Sequence, residues 1–226
     1  MNETFTPIQR LLPDALSDRL REMIVEGALV PGAKINEREL CEAFGVSRTP
    51  LREAVQALAK EGLIQITPRR GARVAPMTVA DLDEVFPIMG ALEALAGELA
   101  CARIAPNQVA EIRVLHDAMV AAYRRGDRHS YFQLNEEIHD RIFKAAGNQT
   151  LIQMRRSLAA RVRRARFRAN LSPQRWEKAV AEHEQIVAAL EAADGPRLGR
   201  LLRDHLAGKL ETVRAAILAE AAEAED

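Results

Sequence analysis

The segment from Glu37 to Ala75 constrains the fold of this chain most, because it places two short helices, a tight turn and a hairpin in that order. The Gly45-Val46 step separates two stretches whose apolar residues recur with helical spacing. Ser47 is a natural N-cap for the second helix, and Pro50 falls in its first turn, where the missing N–H costs little. Together these features predict a helix-turn-helix.

The second helix of this segment has one apolar face and one polar face. Its predicted buried stripe is Leu51, Ala54, Val55 and Leu58. Thr49 and Arg52 point outward, with Arg48 at the N-terminal end. Arginine can bind guanine through two hydrogen bonds. Ser47 and Thr49 can bind phosphates or contact a thymine methyl. The exposed set therefore predicts a recognition helix that enters the major groove of double-stranded DNA.

The hairpin that follows is basic. After Gly62 the pattern becomes strand-like over residues 63–66, and residues 67–71 turn the chain into a second short strand. This hairpin contains three arginines and no acidic residue: Arg69, Arg70 and Arg73. Solvated arginines on an ordinary hairpin are the alternative interpretation, but the ordered set of turn, cap, exposed arginines and basic hairpin favours a DNA-binding wing.

At these residues the chain resembles the GntR family of bacterial transcription regulators. The resemblance rests on residues 37–40, residues 45–54 and the Gly62-Leu63 step, with an upstream helix at about residues 15–26. It implies that Arg38, Arg48 and Arg52 contact operator DNA, assisted by Ser47 and Thr49. It also implies that Gly71 lets the wing tip approach the minor groove, and we place the adjacent Arg70 in the same predicted set.

Charge and composition limit where such a protein works. The formal net charge of the 226 residues is zero, so attraction to DNA must be local. Cys41 and Cys101 lack a disulfide-like pattern and are expected as small buried thiols in a reducing compartment. The N-terminal residues do not resemble a signal peptide, and no apolar run is long enough to span a bilayer. We therefore expect a cytoplasmic protein with no membrane partner.

The remaining two thirds of the chain indicate a second domain. We place the DNA-binding domain at residues 1–76 and the second domain at residues 77–226, with Thr78 as an N-cap and Asp81 as its acidic partner. Six helices are predicted, at about 79–103, 107–125, 128–146, 149–169, 173–193 and 195–222, with a kink at Pro87. The predicted fold is mainly α: a winged helix-turn-helix with a small β-hairpin, then an all-α antiparallel bundle.

Three histidines in this half occupy positions where a core residue is expected. His139 lies one turn after Asn135 on the apolar face of its helix, and His183 and His205 lie on the apolar faces of two later helices. A buried polar side chain without a partner costs about 1–3 kcal/mol. A divalent metal bound by these three imidazoles and the Asn135 amide oxygen would compensate all of them. The alternative is three separate core histidines, each satisfied by a carbonyl group or a water.

Residues 78–218 resemble the ligand-binding FCD domain of the FadR branch of GntR regulators. The resemblance rests on Leu92-Glu93-Ala94, Leu99-Ala100, residues 135–139, Gly147-Asn148, residues 182–184 and Asp204-His205. It implies an all-helical bundle that binds Zn, with Ni or Mn as alternatives, through Asn135, His139, His183 and His205. In this family the metal commonly helps to hold a small carboxylate effector.

This chain departs from the family pattern at two positions. Asn135 replaces the aspartate that many members use as the first ligand, which removes a negative charge. Met89 stands where many members carry an arginine, so an effector carboxylate cannot be anchored there. Replacement anchors are predicted among the arginines that flank the stripe Leu151, Met154, Leu158 and Val162, namely Arg155, Arg161 and Arg166. The alternative for this arginine-rich run is a solvated or interhelical face, with Arg156, Arg163 and Arg164 pointing away from the stripe.

These features predict a homodimeric repressor that reads a short palindrome and responds to a small organic acid, and not an enzyme. One alternative is a metal-free sensor of a longer apolar effector such as an acyl thioester. A more distant alternative is a metal-dependent hydrolase, because three histidines with an open coordination position can activate water. The absence of an H-E-x-x-H motif and of a suitably placed general base argues against the hydrolase.

Overall fold

The computed structural model describes residues 13–76, 78–170 and 172–223, without the side chains of residues 13, 14, 159–163 and 220–223. The chain divides into two compact units, Met1–Met77 and Thr78–Asp226, which are described separately. The described part is mainly helical with one two-stranded sheet, so the predicted fold class is confirmed. No helix within it is both long and apolar enough to cross a membrane.

The first unit contains three helices and a hairpin. Its elements are α1 (Pro13–Val25), α2 (Glu37–Phe44), α3 (Arg48–Lys60), β1 (Ile64–Thr67) and β2 (Gly71–Val74). The strands are antiparallel, and Thr67 is paired with Gly71 across the turn. Gly45 ends α2 in the left-handed region, with φ of 63°, which explains the requirement for glycine between the two helices. The turn of the predicted helix-turn-helix therefore lies where the sequence placed it.

The core of the first unit is formed by the predicted stripe of α3. Leu51, Ala54, Val55 and Leu58 are buried, as are Leu16 and Leu20 of α1. Ser47 occupies the N-cap position of α3, but its side chain makes no capping hydrogen bond. The predicted capping role of Ser47 is therefore wrong, and its hydroxyl is exposed instead.

The second unit is a bundle of six helices in the described residues. They are α4 (Val79–Cys101), α5 (Pro106–Arg124), α6 (Arg128–Ala145), α7 (Gln149–Ala169), α8 (Pro173–Glu191) and α9 (Gly195–Glu223). Thr78 begins α4 with a capping box, because its side chain accepts from the Asp81 N–H and the Asp81 carboxylate accepts from the Thr78 N–H. Pro87 lies inside α4, which continues beyond it to Cys101.

The first and last helices of the bundle pack closely through glycines. A Cβ atom on Gly97 of α4 would lie 2.8 Å from Cδ1 of Leu202 on α9, and one on Gly199 would lie 3.0 Å from the carbonyl oxygen of Ala94. Neither position can carry a larger side chain without moving its neighbour. This close approach brings the inner face of α9 towards α4, α6 and α8, whose polar residues form the site described next.

Candidate metal centre and nucleic-acid interface

Three buried imidazoles meet in the core of the second unit. His139 of α6, His183 of α8 and His205 of α9 are each at most 1 % exposed. One ring nitrogen from each lies within 4.8 Å of the other two. The helical period explains this convergence, because each histidine takes the central position of an apolar face that points into the same core. The shortest distance between ring centroids is 4.7 Å, from His183 to His205.

Asn135 lies one turn before His139 on the same face of α6 and is fully buried. Its amide nitrogen donates to Oε1 of Glu136 over 3.3 Å. Its Oδ1 has no hydrogen-bond partner among the described residues. An amide oxygen without a hydrogen-bond partner is available as a metal ligand. The i to i+4 spacing on the helix puts it on the same side as the imidazole of His139.

Two carboxylates approach the outer nitrogens of the imidazoles. Oε2 of Glu182 accepts a hydrogen bond from Nδ1 of His205 over 2.6 Å. Oε2 of Glu93 on α4, a fully buried side chain, lies 3.0 Å from Nδ1 of His139. Carboxylates in this position set the tautomer and orientation of metal-binding histidines. They leave Nε2 of both rings pointing inward, without a hydrogen-bond partner in the described part of the chain.

The electrostatics of the cluster keep the imidazoles neutral and the carboxylate charged. Burial lowers the pKa of His139, His183 and His205, and the nearby Lys209 charge lowers the pKa of the last two further. Burial by itself raises the pKa of Glu93, but His139 and Arg166 outweigh this and lower its pKa to about 2. Neutral imidazole is the form that binds a metal.

The residues present fit a divalent metal. Imidazole nitrogens that share one tetrahedral zinc ion at about 2.1 Å lie about 3.4 Å apart. The ring nitrogens here lie within 4.8 Å of one another, so metal binding would draw the three rings together. Four unpartnered nitrogens of the three rings and the unpartnered Asn135 oxygen are buried together within the described residues. Separate core histidines would each be expected to have a hydrogen-bond partner on the inner nitrogen, and none does here.

The predicted arginine anchors behave differently from one another. Arg155 forms an ion pair with Asp140, and its guanidinium stacks 4.6 Å from the centroid of the Phe143 ring. It therefore links α7 to α6. Arg166 is buried and lies 3.3 Å from Oε1 of Glu93 and 3.2 Å from Oε1 of Glu136, next to the histidines. The side chain of Arg161 lies outside the described residues.

The stripe predicted on α7 is only partly buried. Leu151 is buried and Leu158 is half-buried, but Met154 is 48 % exposed. Arg164 is 7 % exposed, which agrees with an interhelical face and not with a solvated one. Met89 is 2 % exposed, as expected for an apolar side chain in place of an arginine. The side chains of Val162 and Arg163 lie outside the described residues. Arginines can occupy buried positions between helices because their stems are long and apolar.

The α3 residues predicted to contact DNA are exposed. Arg48, Thr49 and Arg52 of α3 are exposed, together with the hydroxyl of Ser47. Nε of Arg52 donates to Oε2 of Glu37 over 3.0 Å and to Oε1 over 3.2 Å. Arg52 is thereby held across the two helices, but its side chain remains 61 % exposed. The guanidinium still has its two terminal nitrogens to offer a base edge.

The remaining predicted contacts lie on α2 and on the hairpin. Arg38 is 75 % exposed and lies 3.9 Å from Glu42 on the same helix. Arg70 and Gly71 are exposed in the turn of the hairpin. Gly71 has φ of 84°, and Arg69 has φ of 63°, so both residues adopt the left-handed conformation of a tight turn. Arg73, by contrast, donates to the carbonyl oxygen of Gly32 over 2.9 Å and braces the hairpin.

Sequence reasoning missed four residues of the site. Glu93 and Glu182 were not predicted as partners of the histidines, and Lys209 and Arg175 were not predicted to be buried near them. Lys209 has 0 % and Arg175 has 5 % relative exposure. One signal was available for Lys209: it follows His205 by four residues, so it lies on the same helical face. No comparable local signal identifies Glu182, because its partner belongs to another helix.

Comparison with known proteins identifies both parts of the chain. Residues 12–74 match the family described as bacterial regulatory proteins, gntR family, and residues 84–208 match the FCD domain. A regulator in an unstable DNA locus of Streptomyces ambofaciens is 35 % identical over 83 % of this chain and 79 % of its own. The probable D-xylose utilization operon repressor of Paenarthrobacter nicotinovorans is 32 % identical over 89 % of this chain and 90 % of its own. The repressor RspR of Escherichia coli is 32 % identical over 86 % of both chains.

Solved structures have the same fold. E. coli McbR/YncC superimposes with a TM-score of 0.81 at 24 % identity, over 91 % of this chain and 98 % of that one. A GntR-type regulator from Rhodococcus sp. RHA1 gives a TM-score of 0.75 at 23 % identity, over 90 % of this chain and 98 % of that one. The family and these relatives are transcription regulators and not enzymes, which removes the hydrolase alternative. The chain belongs to the GntR family of bacterial transcription regulators and carries an FCD domain.

Proposed function

We propose that this protein is a sequence-specific repressor whose operator affinity is controlled by a small carboxylate metabolite, bound beside a divalent metal in residues 77–226. One observation carries the proposal: the three buried imidazoles of His139, His183 and His205, with inner nitrogens that have no hydrogen-bond partner among the described residues. Repression is supported by the relatives from P. nicotinovorans and E. coli, both named as repressors. The proposed place of action is the cytoplasm.

The metal would be held by His139, His183, His205 and Oδ1 of Asn135. Zn is the preferred candidate, with Ni or Mn as alternatives, because imidazole suits all three and no thiolate is present among these ligands. A bound divalent ion would supply a concentrated positive charge for an anionic effector. Glu93 and Glu182 orient the rings from outside, and Arg166 adds a buried guanidinium beside them.

The proposed DNA contacts belong to residues 1–76. Arg48 and Arg52 would read base edges in the major groove, while Ser47, Thr49 and Arg38 would bind phosphates. Arg70 and Gly71 would bring the hairpin to the minor groove. Support comes from their common exposure on α2, α3 and the turn between β1 and β2.

A homodimer is part of the proposal. One small domain makes too few base contacts for discrimination, and two-fold symmetry doubles them on a palindrome. The second unit offers an apolar surface for association: Ile88 is 51 % and Leu95 is 42 % exposed, seven residues apart on α4. The effector must then bind two dimer arrangements with different affinities, since a ligand with equal affinity for both shifts nothing.

The test compares wild type with His183→Ala and with His116→Ala, a control that removes an equally buried histidine outside the cluster. Elemental analysis follows purification without chelator, and fluorescence anisotropy measures binding to DNA fragments selected by the protein. We expect about one metal ion per chain in wild type and control and none in His183→Ala. Small carboxylates should shift DNA affinity only in the metal-loaded proteins.

Three outcomes would overturn parts of the proposal. A wild type that neither contains metal nor takes it up would remove the metal centre. A chelator-insensitive response to acyl thioesters would favour the metal-free sensor instead. Failure to select any DNA sequence would remove the operator-binding function itself.

A further inference from the structure

Lys209 is a lysine buried in the core of the second unit. It lies on α9, one turn after His205, with no exposed surface. Its Nζ has no hydrogen-bond partner among the described residues. An ammonium taken out of water is costly unless an anion or several acceptors surround it. The charged form of Lys209 therefore needs an acceptor, and without one burial favours the neutral amine.

The neighbouring carboxylates are already engaged. Glu93 lies against His139 and Arg166. Glu182 accepts from Nδ1 of His205 over 2.6 Å and from Nη2 of Arg175 over 2.8 Å. Each carboxylate thus serves one imidazole and one guanidinium, and neither accepts a hydrogen bond from Nζ of Lys209.

Two guanidinium groups flank Lys209. Burial lowers the pKa of Lys209, and the charges of Arg166 and Arg175 lower it further, while the charges of Glu136 and Glu93 oppose the shift. The guanidinium of Arg175 lies against α9, where its Nη2 donates to the carbonyl oxygen of His205 over 2.9 Å. A Cβ atom on Gly208 would lie 3.3 Å from the same Nη2. Glycine at position 208 therefore leaves room for Arg175 beside Lys209.

Both guanidinium groups retain free donors. Nε and Nη2 of Arg166 and Nε and Nη1 of Arg175 are buried without a hydrogen-bond partner in the described part of the chain. The same is true of the Tyr131 hydroxyl and of Nε1 of Trp176, whose rings are 5.4 Å apart. Positive and neutral donors thus collect next to the histidines without matching acceptors. Such an array suits an anionic group with several oxygens.

We propose that Lys209, flanked by Arg166 and Arg175, forms a second anion-binding subsite beside the histidines, so that the effector is a small acid with two anionic groups. This inference rests on the proposed effector function. One anionic group lies at the histidine cluster and the other at Lys209. The second group is a carboxylate or a phosphate, which offer the same acceptor chemistry to an ammonium.

The experiment measures dissociation constants on the full-length, zinc-loaded protein. Trp176 is the only tryptophan in the chain, is 6 % exposed and directly follows Arg175 in sequence, so its fluorescence is used as the readout of binding. Succinate is compared with butyrate, and 3-phosphoglycerate with glycerate, so that each pair differs in the second anionic group. Lys209→Met removes the charge at similar volume, and Lys144→Met, an exposed lysine on α6, is the matched control.

We expect wild type and Lys144→Met to prefer at least one dianion over its partner by about tenfold or more, as for one charge-assisted hydrogen bond. In Lys209→Met the preference should fall below about threefold, while monoanion binding and zinc content stay unchanged. Succinate or 3-phosphoglycerate as the preferred acid then identifies the second group. Lys209→Gln gives the same readout if the methionine variant does not fold.

Three outcomes would overturn the inference: no dianion preference in wild type, the same preference in Lys209→Met, or no binding of any of the four acids. The proposed function fails by different readouts, namely a wild type without metal or a DNA affinity that no acid alters. The ratio of the two dissociation constants is measured without DNA and is interpreted only after zinc uptake has been verified, so the failures are distinguishable.

Discussion

The Glu182 carboxylate accepts a hydrogen bond from Nδ1 of His205 over 2.6 Å, although the two residues lie on different helices, α8 and α9. The bond fixes the ring so that Nε2 points towards His139 and His183. Glu182 also accepts from Arg175, so one carboxylate links an imidazole and a guanidinium. Metal affinity should therefore depend on a residue that is not itself a ligand.

Substitution Glu182→Gln should weaken zinc binding by about 10- to 100-fold, because loss of an outer-shell carboxylate lowers ligand basicity and loosens ring orientation. Competition with a chromophoric chelator measures this affinity. Glu184→Gln is the control: Glu184 is two residues from Glu182 in sequence but pairs with Arg113, and its side chain is 57 % exposed. Equal losses in both variants would show that the effect is general and does not pass through His205.

Restoring a carboxylate at Asn135 should have opposite effects on the metal-loaded and metal-free protein. Asn135→Asp adds a charged oxygen ligand, and zinc affinity should rise by about tenfold. Without metal the new carboxylate is buried beside Glu136, so the melting temperature of the chelated protein should fall. Thermal unfolding with zinc and with chelator checks both signs. A variant less stable than wild type under both conditions would mean that position 135 does not face the metal.

Removal of Arg52 should affect recognition more than folding. Arg52→Ala should cost about 1–3 kcal/mol in operator binding and relax the preference at one base pair. Its pairing with Glu37 is exposed, and such pairs contribute little to stability. Anisotropy titrations against single-base operator variants check this, with Arg200→Ala, an exposed arginine of the second unit, as control. Unchanged affinity and sequence preference would show that α3 is not the recognition helix.

His116 should make stability depend on pH. Burial lowers its pKa; Glu184 opposes this and Arg113 adds to it, with a net lowering. The unfolded chain, with an ordinary pKa of about 6.5, therefore binds the proton more readily than the folded one. The stability that neutral, buried His116 contributes is therefore present above about pH 6.5. It is lost as pH falls through the lower pKa that His116 has in the folded state.

The measurement for His116 is the difference in unfolding free energy between wild type and His116→Gln, from denaturant titrations at several pH values. Wild type should lose stability relative to the variant as pH falls below about 6.5. The other buried histidines titrate in both proteins and cancel in the difference. A difference that stays constant with pH, or one that changes in the opposite direction, would contradict the burial argument.

Local signals were sufficient for the helices and the turn. Gly45 and Thr78 act within a few residues, through a left-handed backbone and a capping box, and both lie where the sequence predicted them. The six helices of the second unit begin and end within three residues of the predicted positions. The helical period also placed His139, His183 and His205 on buried faces. The buried face of a helix follows from its own apolar pattern and can be predicted without knowing which helix packs against it.

Partners across helices could not be predicted in this way. The pairs Glu182–His205 and Glu93–His139 join positions 23 and 46 residues apart. The sequence left Arg164 on either a solvated or an interhelical face, and it is buried, because a long side chain can lie along a neighbouring helix. The cap expected from Ser47 does not form, since the N-cap position leaves the hydroxyl free to face outward.

The sequence by itself determined the helix-turn-helix, the hairpin, the helical bundle and the family, because periodicity, caps and turns are properties of neighbouring residues. Only the tertiary structure decided which charges meet. The angles and separations of α4, α6, α8 and α9 bring Glu93 and Glu182 to the imidazoles and leave Lys209 without a described partner. Electrostatic interactions depend on distance and burial, and neither quantity is contained in the order of residues along the chain.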